Sequence, residues 1–267
     1  MTIKRLLTGA VALPLLILLI LKGSLFLFTC LVMIFSLLGL TEFYRMALPR
    51  RKCAALVASF GGALLPLVLL TPFRTMFLFA LTLLVVLFGL IILFSFSDVR
   101  SAAGDVALLI MGMLYVPLLL GHLVLLRELP DGIPWVFLLM VIVMGGDTGA
   151  YYIGCSFGRR KLYPAVSPNK SVEGALGGLA GSIIGAFIAK ATFFPALTAA
   201  DCLATALVLG LLGQLGDLFE SLLKRSFGVK DSGMIVPGHG GILDRLDSIL
   251  FAAPAAFYYA WFIFMHR

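Results

Sequence analysis

The sequence predicts an all-α integral membrane protein, a polytopic bundle of about nine transmembrane helices with its N-terminus in the cytoplasm. Three observations carry that prediction. Hydrophobic residues make up 61% of the chain and charged residues 12%, where a soluble domain has about 25% charged residues. The mean hydropathy is +1.12. Nine apolar windows are long enough for a helix to cross the hydrocarbon core, which takes about 20 residues. At 267 residues the chain holds one compact polytopic domain and leaves no room for a sizeable soluble one.

The windows run over roughly 5–22, 24–42, 53–71, 75–97, 104–126, 133–155, 172–194, 202–223 and 242–264. The first follows Lys4 and Arg5 and mimics a signal peptide. No small-residue cleavage site comes after it, and a second apolar run begins past Lys22-Gly23-Ser24, so it reads as a retained span. The first two windows lie close enough for a hairpin or a broken re-entrant pair. RMALPRRK, 45–52, reads as a basic loop. Pro72 and Pro134 stand at segment ends, while Pro14, Pro66 and Pro117 lie inside segments, where bundles tolerate them.

Charge orients the spans. With the N-terminus and alternate loops on one side, that side gathers fourteen lysines and arginines and the other side five, with Arg245 left inside a span. This bias predicts a cytoplasmic N-terminus and an external C-terminus. The net charge of +7 is scattered among apolar segments and forms no nucleic-acid patch. Cys30, Cys53, Cys155 and Cys202 make no CxxC or Cys/His cluster; they read as small buried hydrophobes without disulfide or zinc. Residues 1–130 read as scaffold helices and 131–267 as the catalytic region of one integrated membrane domain.

Ionisable residues concentrate from Gly145 onward in three clusters, all at cytoplasmic ends in this topology. GGDTGAYYIG carries Asp147 and leads into FGRRKLYPAVSPNKSVEG. GQLGDLFESLLKR places Asp217, Glu220, Ser221 and Lys224 at i, i+3, i+4 and i+7, on one helical face. GVKDSGMIVPGHGG leads into ILDRLDS, where Asp244 and Asp247 are again i, i+3. Carboxylates near a bilayer are costly unless paired or cation-bound. Several of them among Lys and Arg suggest a divalent cation with phosphate, Mg²⁺ using one or two carboxylates plus substrate oxygens. Asp217 and Asp244 are its candidate ligands.

Plainer readings stand beside these. Asp147 could cap or hydrogen-bond a neighbouring helix, Asp247 could form a structural ion pair with Arg245 or a neighbouring helix, and Glu220 could support Lys224. Arg159, Arg160 and Lys161 could only set topology, and His122 and His266 are incidental. His239, flanked by Gly238, Gly240 and Gly241, suits an anion at a helix start or a flexible turn. Gly174, Gly177, Gly178, Gly181 and Gly185 form overlapping GxxxG patterns, for packing within the molecule or for a homodimer seam.

These motifs resemble the phosphatidate cytidylyltransferase family (CDP-diacylglycerol synthases). SLLKRSFGVKD from Ser221 to Asp231, then HGGILDRLD from His239 to Asp247, is similar to that family's C-terminal pattern. SPNKSVEG and DTGAYYIG look like its upstream segments, with Ser171 where Thr is common and Val236 where a larger aliphatic is usual. The resemblance covers about Gly145 to Ser248. It implies CTP and phosphatidate as substrates, with membrane lipids around them and no nucleic acid, CDP-diacylglycerol and pyrophosphate as products, and Mg²⁺, with a second cation left open. It implies a bacterial-type inner membrane location with the site facing the cytoplasm.

The implied roles follow residue by residue. Asp217 and Asp244 would ligate metal, with Asp147 and Asp247 as support or further metal contacts. Lys224, Arg225, Lys230 and Arg245 would contact phosphates, and Ser167, Lys170 and Ser171 nucleotide or lipid phosphate. Ser221, Asp231, His239, Gly240 and Gly241 would line the substrate. A CTP-dependent polyprenol or lipid kinase is the nearest alternative in chemistry. An ion-coupled transporter is a further one, but it leaves the crowding of cations and carboxylates at one interface unexplained.

Overall fold

In hydrocarbon the backbone of a long apolar run must satisfy its own polar groups, and the α-helix does this within the run. The computed structural model describes residues 14–71, 74–96, 98–233 and 240–266. Lys4, Arg5, Pro72, Val236, Gly238, His239 and Arg267 lie outside the described residues. Seven spans among those described are long and apolar enough to cross a membrane: Leu25–Ala47, Thr75–Ser95, Val99–Glu128, Gly132–Phe157, Val172–Thr192, Ala199–Ser226 and Leu243–His266. The chain is an all-α polytopic membrane protein.

One of the nine windows takes another form, and the first is described only in part. Residues 14–22 are helical, here α1, and the start of that window is outside the described residues. The 53–71 window is a shorter apolar stretch, Lys52–Val68, made of α3 (Lys52–Ala63) and α4 (Leu65–Val68). The break falls at Leu64, two residues before Pro66, whose ring cannot continue a helical ladder. The basic loop is also shorter than its sequence suggests, because α2 (Leu25–Ala47) runs on through Arg45. Of the four cysteines, all free, only Cys202 is buried, while Cys53 and Cys155 are exposed, which corrects the expectation that all four are core residues.

Two compact units divide the chain. The first comprises Met1–Leu125 with Asp231–Asp244, and the second Leu126–Lys230 with Arg245–Arg267. In the first, α5 (Arg74–Ser95) and α6 (Val99–Met113) follow α4. Phe79 is 63% exposed and Phe94 83%, which is the surface a span presents to lipid rather than to a protein core. Phe43, Tyr44, Phe88, Leu109 and Val116 are buried, and the Tyr44 hydroxyl donates to Leu109 O at 2.6 Å. A π turn at Leu114–Leu118 absorbs Pro117 before α7 (Leu119–Glu128). Arg51 Nε pairs with Asp105 Oδ2 at 2.9 Å, and its Nη1 donates to Ser95 O.

In the second unit, α8 (Gly132–Phe157), the strands β1 (Lys161–Tyr163) and β2 (Ser167–Ser171), α9 (Val172–Thr192) and α10 (Ala199–Ser226) follow in order. The helix α11 (Leu243–Phe262) starts in the first unit and continues in the second. The glycine stripe is internal packing between α8 and α9. A Cβ on Gly145 would stand 2.9 Å from Gly181 O, and one on Gly177 2.5 Å from Ile153 Cβ. Bare backbones at these positions let the two helices run in contact. Ser182 Oγ donates across the same seam to Ile142 O at 3.0 Å.

The far end of this unit is held by Thr198 and Asp201, a capping box at the start of α10. Tyr259 Oη donates to Asp201 Oδ1 at 2.6 Å, tying α11 to it. Trp135, Phe194 and Phe264 pack edge to face around that end. The segment after α8 is an antiparallel two-stranded hairpin with Lys161 opposite Ser171 and Tyr163 opposite Ser167. A polar stretch outside the bilayer core can satisfy its backbone by such pairing as well as by water.

Candidate active site

A cavity of about 670 Å³ lies in the second unit, within the ~300–1,000 Å³ usual for small-molecule sites. Asp147, Ala150, Tyr151, Gly154 and Cys155 of α8 line it. Leu162, Ser167, Asn169, Lys170 and Ser171 come from the hairpin, Gly174 and Ala175 from α9, and Gln214 and Asp217 from α10. Five residues singled out in the sequence, Asp147, Ser167, Lys170, Ser171 and Asp217, are therefore brought to one cavity. They come from sequence positions up to 70 residues apart, which is the work of the α8–hairpin–α9 fold.

Lys170 Nζ stands 2.7 Å from Asp217 Oδ2. Asp147 and Asp217 act on each other at electrostatic range, and Lys170 and Arg245 reach Asp147. Asp247 of α11 joins the same field, interacting with Asp217, Asp147 and Lys170. Three carboxylates against two cations leave one formal negative charge in the cluster. Among the described residues no three His, Cys, Asp or Glu side chains form a cage for a metal ion.

The hairpin that carries Lys170 is fixed at both ends. Ser171 is the N-cap of α9, its Oγ accepting from Gly174 N at 3.1 Å. Such a cap satisfies one orphan N–H of the first turn. Glu173 accepts from Arg159 N at 3.0 Å and from Arg160 N, so the backbone of the basic run is held while its side chains stay exposed. Gln214 Nε2 donates to Ala175 O at 3.1 Å, and ties α10 to α9 at the cavity wall.

Past the cavity along α10, Glu220 is wholly buried and forms an ion pair with Lys224. This is the supporting role that i, i+4 spacing suggests. Arg225, Lys230 and Asp231 are exposed and Ser221 is half-buried; none of the four lines the cavity. Gly228, at φ +73°, ends α10 in the left-handed conformation that glycine adopts most readily.

In the first unit, Asp244 Oδ2 accepts from Ser232 N at 3.2 Å, Ser232 Oγ at 2.9 Å and Gly241 N at 3.1 Å. Asp217 belongs to the second unit and Asp244 to the first. Beside Asp244 is a residue the motifs leave out. Glu42 of α2 is wholly buried, and its carboxylate accepts from Ile242 N at 3.1 Å and Leu243 N at 2.9 Å. A lone carboxylate next to an apolar span was its available signal. Gln214, Asn169 and Glu173, by contrast, stand inside the quoted motifs, and only the fold distinguishes them from their neighbours.

Comparison with known proteins agrees with this assembly of motifs. The profile described as "Cytidylyltransferase family" matches residues 3–263. A phosphatidate cytidylyltransferase of Bacillus subtilis (strain 168) is 35% identical over 262 residues, 96% of each chain. Phosphatidate cytidylyltransferases of Staphylococcus saprophyticus and of Staphylococcus aureus (strain COL) are 42% identical over 158 residues, which is 59% of this chain and 60% of theirs. With a match across nearly its whole length and across the cavity's own segments, the chain belongs to the cytidylyltransferase family.

Proposed function

We propose that this protein is a phosphatidate cytidylyltransferase, converting CTP and phosphatidate to CDP-diacylglycerol and pyrophosphate in phospholipid biosynthesis. The observation that carries this reading is the cavity in which Lys170, Ser167, Ser171, Asp147 and Asp217 converge in a chain of this family. A phosphate oxygen of phosphatidate forms a bond to the α-phosphorus of CTP. The bond from that phosphorus to the α,β-bridging oxygen breaks, and pyrophosphate leaves with the electron pair. The nucleophile is already an anion, so no strong general base is required. The work of the protein is to bring two polyanions together and stabilise the charge that moves onto the leaving group.

In this reading Lys170 exchanges part of its interaction with Asp217 for a substrate phosphate. Ser167 and Asn169 offer further polar contacts from the hairpin, and Arg245 adds positive charge to the same field. Lys224, Arg225 and Lys230 act on phosphates from the end of α10 and beyond it. The donor set fits Mg²⁺. Three carboxylates with one negative charge to spare, and no complete cage, suit an ion that takes one or two protein ligands and completes its shell with phosphate oxygens and water. Asp217, with either Asp147 or Asp247 as a second ligand, would hold it, and when bound it would neutralise phosphate charge. We place the protein in a bacterial cell membrane with the cavity opening to the cytoplasm.

The test uses the full-length protein in detergent with phosphatidate, Mg²⁺ and CTP labelled at the α-phosphate. Label should pass into the lipid fraction with release of pyrophosphate. Transfer only from a γ-labelled CTP would assign a kinase instead, and no transfer from either would remove the enzymatic reading.

A further inference from the structure

Glu42 lies outside every motif of the catalytic region, yet it organises the segment that leads into α11. Its Oε1 accepts from Ile242 N and its Oε2 from Leu243 N, the last amide before that helix and the first within it. Ser232 Oγ stands 3.1 Å from Glu42 Oε2 and 2.9 Å from Asp244 Oδ2. One hydroxyl proton thus lies between two carboxylates, serving one at a time. A buried carboxylate is tolerated only with donors of this kind around it.

Two glycines make room for this carboxylate. A Cβ on Gly241 would stand 2.6 Å from Glu42 Oε2, and a Cβ on Gly233 would stand 2.8 Å from Glu42 Cδ. Real side chains do not approach so closely, so both positions must stay bare for Glu42 to reach the backbone. Gly240, at φ +86°, lets the chain turn into the approach. The glycines around the start of α11 therefore serve an internal anion. The amide of Gly241 is given to Asp244 and the next two to Glu42.

We propose that Glu42 is a positioning residue for catalysis, setting the start of α11 and the carboxylate of Asp244. It supplies from within the chain the anion that these amides would otherwise offer to a substrate phosphate. The helix α11 then carries Arg245 and Asp247 in its first turns. This proposal rests on the transferase reading for its kinetic consequence, and its structural consequence is independent of it.

The experiment compares wild type, Glu42→Gln and Ser232→Ala as full-length protein in detergent, by amide hydrogen exchange and by steady-state kinetics. Glu42→Gln keeps the shape but loses an acceptor and the charge. Amides of Ile242 and Leu243 should exchange at least ~10-fold faster, and kcat should fall ~10-fold or more with KM for CTP within ~3-fold. Ser232→Ala should shift both in the same direction by less. A Glu42→Gln protein with wild-type kcat and unchanged exchange overturns the proposal. So does faster exchange spread over the whole chain with lowered thermal stability, which marks a general scaffold residue. If Glu42→Gln does not fold, a normal kcat and normal exchange in Ser232→Ala overturn it. Absence of transfer by wild type would fail the transferase reading instead, and exchange at Ile242 and Leu243 would still decide the role of Glu42.

Discussion

Lys170 Nζ meets Asp217 Oδ2 at 2.7 Å, joining the hairpin to α10 at the wall of the cavity. Both side chains are about a third exposed, 28% and 34%, so the pair adds at most about 1 kcal/mol to stability. A pair this open is a poor staple and a good site, because either partner can be turned to a ligand without unfolding the protein.

That contrast predicts a separation of activity from stability. Lys170→Met and Asp217→Asn should each lower turnover by ~10²-fold or more, while unfolding shifts by no more than about 1 kcal/mol. Initial rates and thermal unfolding of the same detergent preparations check both halves. Near-wild-type turnover in either variant would remove that residue from the proposed machinery.

Glu220 and Lys224 should behave in the opposite way. Glu220 is fully buried and Lys224 nearly so, at 13% side-chain exposure. Removing one partner of a buried pair strands the other charge, so Glu220→Gln should cost about 3–5 kcal/mol. Adding Lys224→Met should recover part of that loss. Denaturant unfolding of the single and double variants reads the recovery; additive losses would mean that the two charges are not coupled.

Glycine packing between α8 and α9 gives a third expectation. Gly177→Ala places a methyl 2.5 Å from Ile153 Cβ, and such overpacking costs about 1–3 kcal/mol. A methyl added at Gly89 in α5 would meet nothing within 4 Å. Gly89→Ala should therefore be neutral or stabilising, since alanine favours helix by up to about 1 kcal/mol. Melting temperatures of the two variants, side by side, test the seam.

Glu173 should protect the hairpin. Its carboxylate holds the amides of Arg159 and Arg160, and the side chains there are exposed to protease. Glu173→Ala should speed tryptic cleavage at Arg159, Arg160 and Lys161 and raise KM for CTP, because Lys170 rides on the same hairpin. Gel analysis of timed digests reads the first effect. An unchanged cleavage rate would show that the β1–β2 pairing alone holds the turn.

By itself, the sequence determined whatever depends on near neighbours. Apolar run length set the seven long spans, and the sequence windows match their ends to within a few residues at most boundaries. Helical spacing placed Glu220 beside Lys224, and the hairpin and α10 motifs held most of the singled-out residues that line the cavity. Length and polarity are local properties, and a helix reports them directly. Tertiary structure decided what depends on distant partners. Lys170 finds Asp217 across 47 positions, and Glu42 finds Leu243 across 201. The α9 glycines face α8, a choice that GxxxG spacing leaves open because one bare helical face can receive either a neighbour or a second copy. No periodicity in one segment encodes which other segment will supply its counter-charge; that follows only when the packed helices bring the two together.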